Sequence, residues 1–276
     1  MLDVRPSPIV GTWYEGNAKS LAHSVDEYLN KAKLPAFDGE VVAVIAPHAG
    51  HRYSGSVAGY AFASLRSRSP ELVAVISPFH SLAPYPLITT AHDAYGTPLG
   101  NIEVDKAALA ELAQAHLDVP VTPIRADREH SLEIELPFLQ RALAGDFKLL
   151  PIMIQAQEIN VARKLGFALA TVLKDKNALL VASTDLSHFH DQRTAERFDG
   201  EMLRRFESFN PESIFEAEQT GKAFACGHAA VAAVLWAARE LGANKVKILQ
   251  HATSGDVMGD YSSVVGYGAA VVLRTN

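Results

Sequence analysis

Short segments of nearly continuous apolar residues alternate along this chain with segments of helical periodicity. The predicted buried strands are residues 41–46, 72–77, 147–154 and 178–183. Strands that are apolar at consecutive positions are typical of a sheet covered by helices on both faces. This alternation predicts an α/β fold, a single-domain α/β/α sandwich with a mainly parallel or mixed sheet.

The remaining elements follow from the same patterns. We expect helices at residues 17–33, 54–65, 105–116, 132–144, 159–173, 192–206 and 226–241, and further strands at 246–251 and 264–273. The helix at 132–144 is expected to be entered or interrupted at Pro137. Because no linker, repeat or shift in composition marks a boundary, we predict one domain spanning residues 1–276.

Charge and cysteine content exclude several classes of protein. The 276 residues include 25 Lys and Arg against 31 Asp and Glu, and this net charge of −6 argues against binding to nucleic acid. A single Cys excludes an internal disulfide and a metal site made of cysteines alone. Residues 1–6 (MLDVRP) do not resemble a signal peptide, and no segment approaches the ~20 apolar residues of a membrane helix. We therefore expect a cytoplasmic protein without a membrane partner.

Polar side chains follow three of the predicted strands. His48 comes after the first strand, His80 after the second, and Asp185 and His188 after the strand at 178–183. Ligands of open α/β sheets bind beyond the carboxyl ends of the strands, and imidazole is the commonest protein metal ligand. A single loop histidine more often bonds nearby backbone, but the three clusters together favour a shared site.

Other polar segments carry weaker signals. Cys226 precedes an apolar helix, whose N-terminus would stabilise a thiolate, although most free cysteines are small buried apolar residues. The adjacent Gly227 and His228 favour a functional role. His130 either orients a substrate or caps a helix. For Asp260 we favour a structural role in a polar turn over a functional one. The role of His190 stays open. We interpret four other histidines as ordinary surface or packing residues: His23, His92, His116 and His251.

Several longer motifs occur in a characteristic order. They are residues 10–16 (VGTWYEG), 47–55 (PHAGHRYSG), 95–100 (YGTPLG), 129–139 (EHSLEIELPFL), 183–188 (STDLSH), 226–228 (CGH) and 259–267 (GDYSSVVGY). Together these segments resemble the Memo (mediator of cell motility) family, whose prokaryotic members are labelled AmmeMemoRadiSam system protein B. The resemblance covers nearly the whole chain. It implies a fold similar to that of class III extradiol dioxygenases and a possible radical-SAM partner protein.

The resemblance also assigns residues to roles. It implies His48, His80 and Cys226 as ligands of one transition-metal ion (iron, copper or zinc), with His188 as acid/base and Asp185 beside it. The expected substrate-binding residues are four: His51, Tyr53, His130 and His228. The chain departs from the family pattern at His51, where Tyr is usual, and at Phe79, where Asn or Ser is usual. His51 would then add a ligand or a proton carrier, or change the polarity of the pocket.

Three functions remain open on these residues. The first is metal-dependent redox chemistry, dioxygenase-like, on an unknown small molecule; a thiolate in place of a carboxylate favours copper or zinc over ordinary iron dioxygenation. The second is a non-catalytic module that binds a metal or a peptide. Phosphopeptide recognition usually needs an arginine cluster, for which Arg52, Arg125 and Arg128 are the nearest candidates. The third is a zinc-type hydrolase.

Overall fold

A mixed β-sheet forms the centre of the computed structural model, which describes residues 2–115 and 117–275. His116 lies outside the described residues. The strands are β1 (Val4–Arg5), β2 (Glu40–Ala46), β3 (Leu72–Pro78), β4 (Leu87–Thr90), β5 (Ala94–Thr97), β6 (Gly100–Glu103), β7 (Val121–Ile124), β8 (Lys148–Ile154), β9 (Ala178–Ser183), β10 (His188–His190), β11 (Lys245–Thr253) and β12 (Val264–Arg274). The helices are α1 (Ala18–Lys31), α2 (His51–Ala63), α3 (Lys106–Gln114), α4 (Leu136–Ala142), α5 (Ile159–Leu173), α6 (Gln192–Glu207), α7 (Pro211–Gln219), α8 (His228–Glu240) and α9 (Gly255–Met258).

The order of the strands places the predicted site at one edge of the sheet. Neighbouring strands run in the order β10-β12-β2-β9-β3-β8-β4-β7, and β11 also pairs with β12. Within this order β2, β9, β3 and β8 are mutually parallel, and β12 is antiparallel to the strands beside it. Strand β4 is antiparallel to β8 but parallel to β7. The α/β class and the mixed sheet are therefore confirmed. The carboxyl ends of β2, β9 and β3 lie side by side.

Helices cover both faces of this sheet. Along β3, Ala74 and Ile76 pack into an apolar cluster that contains residues of α5, α7 and α8. Val73 and Val75 point the other way, into a second cluster with α1, α2 and α4. Each strand residue faces one or the other layer because side chains alternate along a strand. The continuous apolar segments in the sequence reflect this burial on both faces, and the layers form an α/β/α arrangement.

Side-chain caps account for several helix starts. The Asn17 side chain accepts backbone N–H groups at the start of α1, Asp105 accepts one at α3, and Asp191 accepts one at α6. Such caps satisfy N–H groups that have no partner within the helix. These three helices begin within a residue of their predicted positions.

Two helix starts differ from prediction. Helix α2 begins at His51, three residues before the predicted start, and the His51 N–H donates to the Trp13 carbonyl oxygen at 2.8 Å. Because this contact is with a distant residue, local periodicity did not indicate it. At the other end of the chain, α8 begins at His228 and not at Cys226, with Gly227 as its N-cap. Cys226 therefore lies in the loop before the helix.

The segment around Pro137 contains two short elements. A 3-10 turn spans Glu133–Glu135, and α4 follows with Pro137 in its first turn. Proline is tolerated there because the first N–H groups of a helix have no intrahelical acceptor. The helix predicted at residues 132–144 is thus entered at Pro137 and spans only Leu136–Ala142. The turn before it brings Glu133 and Glu135 into the protein interior.

Short strands and two helices, α7 and α9, were not predicted. Strands β4 to β7 are four residues long, and β1, β5 and β6 form a separate three-stranded sheet. Strands of this length carry too few alternating residues for a periodic signal. Across the part of the chain that is described, no helix is both long and apolar enough to cross a membrane.

Candidate metal centre

Two imidazoles and one thiol meet beyond the carboxyl ends of the parallel strands. His48 lies two residues after β2 and His80 two residues after β3, whereas Cys226 comes from the loop before α8. One side-chain donor atom from each of the three lies within 4.8 Å of the others. The His48 Nε2 and Cys226 Sγ atoms are 3.2 Å apart, and the rings of His48 and His80 stand edge to face with centroids 5.2 Å apart. The structure thus brings together the three predicted ligands.

Buried hydrogen bonds orient the His48 ring. Its Nδ1 lies 2.9 Å from the Ser183 hydroxyl at the end of β9, and that hydroxyl lies 2.7 Å from both the Ser131 carbonyl oxygen and Glu135 Oε1. Because Nδ1 is engaged in this way, Nε2 is the nitrogen that faces Cys226. Burial, together with the neighbouring His80 and His130, holds the pKa of His48 well below its ordinary value. His48 is therefore the neutral imidazole that a metal ion requires.

Glu129 holds His80 at two points. Its Oε1 accepts from His80 Nδ1 at 2.9 Å, and its Oε2 accepts from the His80 backbone N–H at 2.5 Å. Oε1 also accepts backbone N–H groups from His130 and Ser131 at 2.9 Å. Burial opposes ionisation of Glu129, but the bond and charge of His80 outweigh it and lower the pKa of this carboxyl. A carboxylate bonded to the second ring nitrogen of a ligand histidine is a common feature of metal sites.

The Cys226 loop is bonded to the segment after β9. The Cys226 N–H donates to the Asp185 carbonyl oxygen at 3.2 Å, and the Asp185 N–H donates to Cys226 Sγ at 3.3 Å. The Gly227 N–H donates to Thr184 Oγ1 at 2.9 Å. Burial, and secondarily the charge of Asp185, raises the pKa of the Cys226 thiol above its ordinary value. The expected stabilisation of a thiolate by the helix N-terminus is therefore wrong, because α8 starts two residues later and burial dominates.

Asp185 contacts the His48 and Cys226 loops, and His188 is near enough for its charge to affect the pKa of His48. Asp185 Oδ1 accepts the His48 backbone N–H at 2.8 Å, and burial raises the pKa of this carboxyl to about 7. His188 Nδ1 donates to the Leu186 carbonyl oxygen at 2.8 Å, which leaves Nε2 as the acceptor. Burial lowers the pKa of His188, so that the imidazole is a neutral base near pH 7.

Of the predicted substrate-binding residues, His130 lies beside the cluster. Its ring stacks on His80 with centroids 4.8 Å apart and meets the edge of the His48 ring at 5.5 Å. Trp13 covers its other side at 4.1 Å and is partly exposed. Burial lowers the pKa of His130 to about 4, so the ring is neutral. His130 and Trp13 together form one wall beside His48 and His80, the two predicted histidine ligands.

The contacts of His51 and His228 lie elsewhere. His51 Nε2 donates to the Ile134 carbonyl oxygen at 3.0 Å, and its ring packs 4.8 Å from that of Phe138 in the core. His228 Nδ1 lies 3.3 Å from Glu218 on α7, next to Phe215. The structure therefore does not bring these two imidazoles to the donor atoms. The Tyr53 ring lies 5.9 Å from the Arg52 guanidinium carbon.

Asp260, His92 and His251 make hydrogen bonds that stabilise the fold. Asp260 accepts from the Ser262 N–H and hydroxyl, which is the turn role expected of it. His92 is buried between Asp3 and the Arg125 carbonyl oxygen, in agreement with a packing role. His251 donates to Asp199, a buried carboxylate that also accepts the Ser187 N–H beside His188. This last contact was not predicted, because the two residues are distant in sequence.

Three of the contacts that build the site were also not predicted. Glu129 and Glu135 lie in the motif at 129–139, and Ser183 is the last residue of β9. The presence of these residues in the motifs at 129–139 and 183–188 was the available signal, but a single sequence does not indicate which histidine each one bonds. A large cavity of 810 Å³ lies at the opposite edge of the sheet, near the starts of β3 and β8, and contains none of the predicted site residues.

The chain is similar to known proteins over nearly its whole length. A family model described as Memo-like protein matches residues 5–271. A MEMO1 family protein of Nitrosopumilus maritimus is 33% identical over 270 residues, covering 96% of this chain and 98% of the relative. MEMO1 family proteins of Methanopyrus kandleri and Thermotoga neapolitana are 32% and 33% identical, each covering 98% of this chain and 99% of the relative. By both the family model and these full-length relatives, the chain belongs to the Memo family.

Proposed function

We propose that this protein is a metal-dependent redox enzyme acting on a small molecule, with His48, His80 and Cys226 as ligands of one transition-metal ion. The observation that carries the proposal is the convergence of three donor atoms within 4.8 Å at the strand ends. Open α/β sheets bind ligands at this edge. His188 is the proposed acid/base, and Asp185 the residue that positions the ligand loop.

The donor set fits a borderline or soft transition metal. Both histidines have Nδ1 engaged with protein groups, which directs the remaining nitrogen towards the cluster. A thiolate beside two imidazoles suits copper, zinc or iron better than magnesium or calcium. When bound, iron or copper would supply electron transfer and the activation of dioxygen. The raised pKa of the Cys226 thiol means that metal binding at neutral pH releases its proton.

The chain's own groups would bind the substrate and move its proton. The free Nε2 of His188 is the base for a substrate hydroxyl, since the neutral ring has Nδ1–H committed to the Leu186 carbonyl. His130 and Trp13 offer a flat aromatic wall, and Phe224 meets the edge of the His188 ring at 5.7 Å. Apolar walls with a few convergent polar groups are typical of small-molecule sites.

A zinc-type hydrolase is the second candidate, because one observation favours it. A cysteine replaces the carboxylate that usually accompanies two histidines in iron oxygenases, and thiolate ligands favour zinc. The same His188 would then accept a proton from a nucleophilic water. Phosphopeptide binding has less support, since Arg125 forms an ion pair with Asp3 and the Arg52 guanidinium lies beside Tyr53.

Elemental analysis tests the proposal most directly. Protein purified without added metal should contain close to one equivalent of iron or copper, and His48→Ala, His80→Ala and Cys226→Ala should each lose it. His23→Ala is the matched control, because His23 is exposed on α1. Unchanged stoichiometry in the three variants would exclude the ligand set. Zinc in place of iron or copper would support the hydrolase.

Turnover separates the chemical roles. Iron-loaded protein should convert members of a catechol panel aerobically, and His188→Gln should retain the metal but lose turnover. Absence of any ring-opened product would exclude the dioxygenase version of the proposal.

A further inference from the structure

A buried carboxyl group lies behind the His48 ring and is not used by the proposed chemistry. Glu135 is fully buried at the end of the 3-10 turn before α4. Its Oε1 is 2.7 Å from the Ser183 hydroxyl, which in turn is 2.9 Å from His48 Nδ1. Its Oε2 is buried without a hydrogen-bond partner. Glu135, Ser183 and His48 thus form a buried chain that leads to Cys226.

The number of protons on the Ser183 hydroxyl determines how this chain is bonded. A hydroxyl has one hydrogen to donate and two lone pairs that accept. The Ser131 carbonyl oxygen, 2.7 Å away, can only accept, so the Ser183 hydrogen is directed to it. The two lone pairs then face His48 Nδ1 and Glu135 Oε1, and each of these atoms must carry a hydrogen.

The alternative assignment is unfavourable. If the Ser183 hydrogen were directed to an ionised Glu135, the Ser183 and Ser131 oxygens would stand 2.7 Å apart with no hydrogen between them. The ionised group would also leave Oε2 buried without a donor, which costs far more for a carboxylate than for the carbonyl oxygen of a neutral acid. The buried guanidinium of Arg5 pairs with Glu133 and Asp127, not with Glu135.

We propose that Glu135 is a positioning residue, held as a neutral carboxylic acid, that donates to Ser183 and thereby keeps His48 protonated on Nδ1 with Nε2 free for the metal. Burial raises the pKa of Glu135 well above its ordinary value, which agrees with this assignment. The protonation state follows from the hydrogen bonds alone; only its consequence for metal binding rests on the proposed function.

Infrared spectroscopy of the metal-free protein tests the protonation state. With ¹³C-labelled glutamate, the wild type near pH 7 should show the carbonyl band of a buried protonated carboxylic acid, and Glu135→Gln should lack it. Glu133→Gln is the matched control, because Glu133 is equally buried but ion-paired with Arg5, and it should keep the band. A wild-type spectrum without the band would overturn the proposal, even if no variant folds.

Two further measurements test the positioning role. The ¹⁵N signals of the His48 ring in metal-free protein should report the Nδ1–H tautomer in the wild type and in Glu135→Gln, which keeps a donor, but a mixture of tautomers in Ser183→Ala. Titration with Zn²⁺ alone should show affinity reduced by about 10–100-fold in Ser183→Ala and Glu135→Met, and largely restored in Glu135→Gln. If the His48 tautomer were unchanged in Ser183→Ala, the positioning role of Glu135 and Ser183 would be contradicted. If the wild-type protein did not bind Zn²⁺, only the proposed metal site would be contradicted.

Discussion

Cys226 Sγ lies 3.2 Å from His48 Nε2, although 178 positions separate the two residues in the chain. The imidazole is held from behind by Ser183, and the thiol is held by backbone groups of Asp185. Each side chain therefore has a contact with the protein besides the one that joins the pair. The pair is therefore built by the sheet edge and its loops, and a metal ion entering between these atoms would meet ligands already in position.

Replacing Cys226 with aspartate should change which metal the site prefers. Cys226→Asp changes the donor set to two histidines and one carboxylate, which is typical of non-haem Fe(II) sites. It also removes the soft thiolate ligand. We expect the ratio of bound iron to bound copper or zinc to rise when apoprotein is offered the metals in competition. Elemental analysis of the reisolated protein measures this ratio. Cys226→Ala serves as the control for loss of a ligand, and an unchanged ratio in Cys226→Asp would place the thiol outside the metal site.

Glu129→Gln should weaken metal binding without touching a ligand. The amide cannot accept from both His80 Nδ1 and the backbone N–H groups as the carboxylate does, so the His80 ring loses its fixed orientation. Loss of such an outer contact typically lowers metal affinity by about 10–100-fold. Titration with Zn²⁺ measures the change, and Glu103→Gln, on the exposed side of β6, is the control. Equal affinity in wild type and Glu129→Gln would contradict the role of this carboxylate.

His51 should make the protein less stable in mild acid. Burial lowers the pKa of His51 to about 4 in the folded state, against an ordinary value of 6.5. Between these values the unfolded chain binds a proton that the folded protein does not. The free energy of unfolding therefore falls as the pH drops from about 6.5 to about 4, by about 3 kcal/mol in total for this group.

Denaturant unfolding at pH 7.5 and pH 5 measures this effect. The loss of stability between the two pH values should be smaller in His51→Gln than in the wild type. In His23→Gln it should be unchanged, because His23 is exposed. An identical pH dependence in wild type and His51→Gln would show that His51 is not held neutral by burial.

Two glycine substitutions should act in opposite directions. A Cβ at Gly227 would stand 2.3 Å from the Ser183 carbonyl oxygen and 2.8 Å from Thr184 Cβ, so Gly227→Ala must push the Cys226 loop away from β9. We expect a loss of about 2 kcal/mol in the free energy of unfolding and weaker metal binding. At Gly200, within α6, a Cβ meets only the end of the Arg204 side chain at 3.7 Å.

Gly200→Ala should therefore stabilise the protein by about 0.5–1 kcal/mol, since alanine favours the helix. Thermal unfolding and Zn²⁺ titration of the two variants make the comparison. Wild-type stability in Gly227→Ala would mean that the loop can move away from β9 at no cost.

Local patterns predicted the parts of the fold that repeat. Strands β2, β3, β8 and β9 were predicted because burial on both faces requires consecutive apolar residues. Helices α1, α3 and α6 were predicted because their stripes and caps lie within a few neighbouring positions. Strands β4 and β7 were not, because their pairing is decided by partners distant in the chain. Strands β5 and β6 form a hairpin, but each is too short to give a periodic signal.

The sequence by itself determined that His48, His80 and Asp185 follow strands that end at one edge, since strand direction follows from the alternation of strands and helices. Cys226 joined them through the family's motif. Only the tertiary structure decided that Glu129 bonds His80, that Glu135 reaches His48 through Ser183, and that His51 and His228 contact other parts of the protein. Apart from the contact of His228 with Glu218, these are contacts between segments far apart in the chain, and no periodic pattern encodes which segments meet.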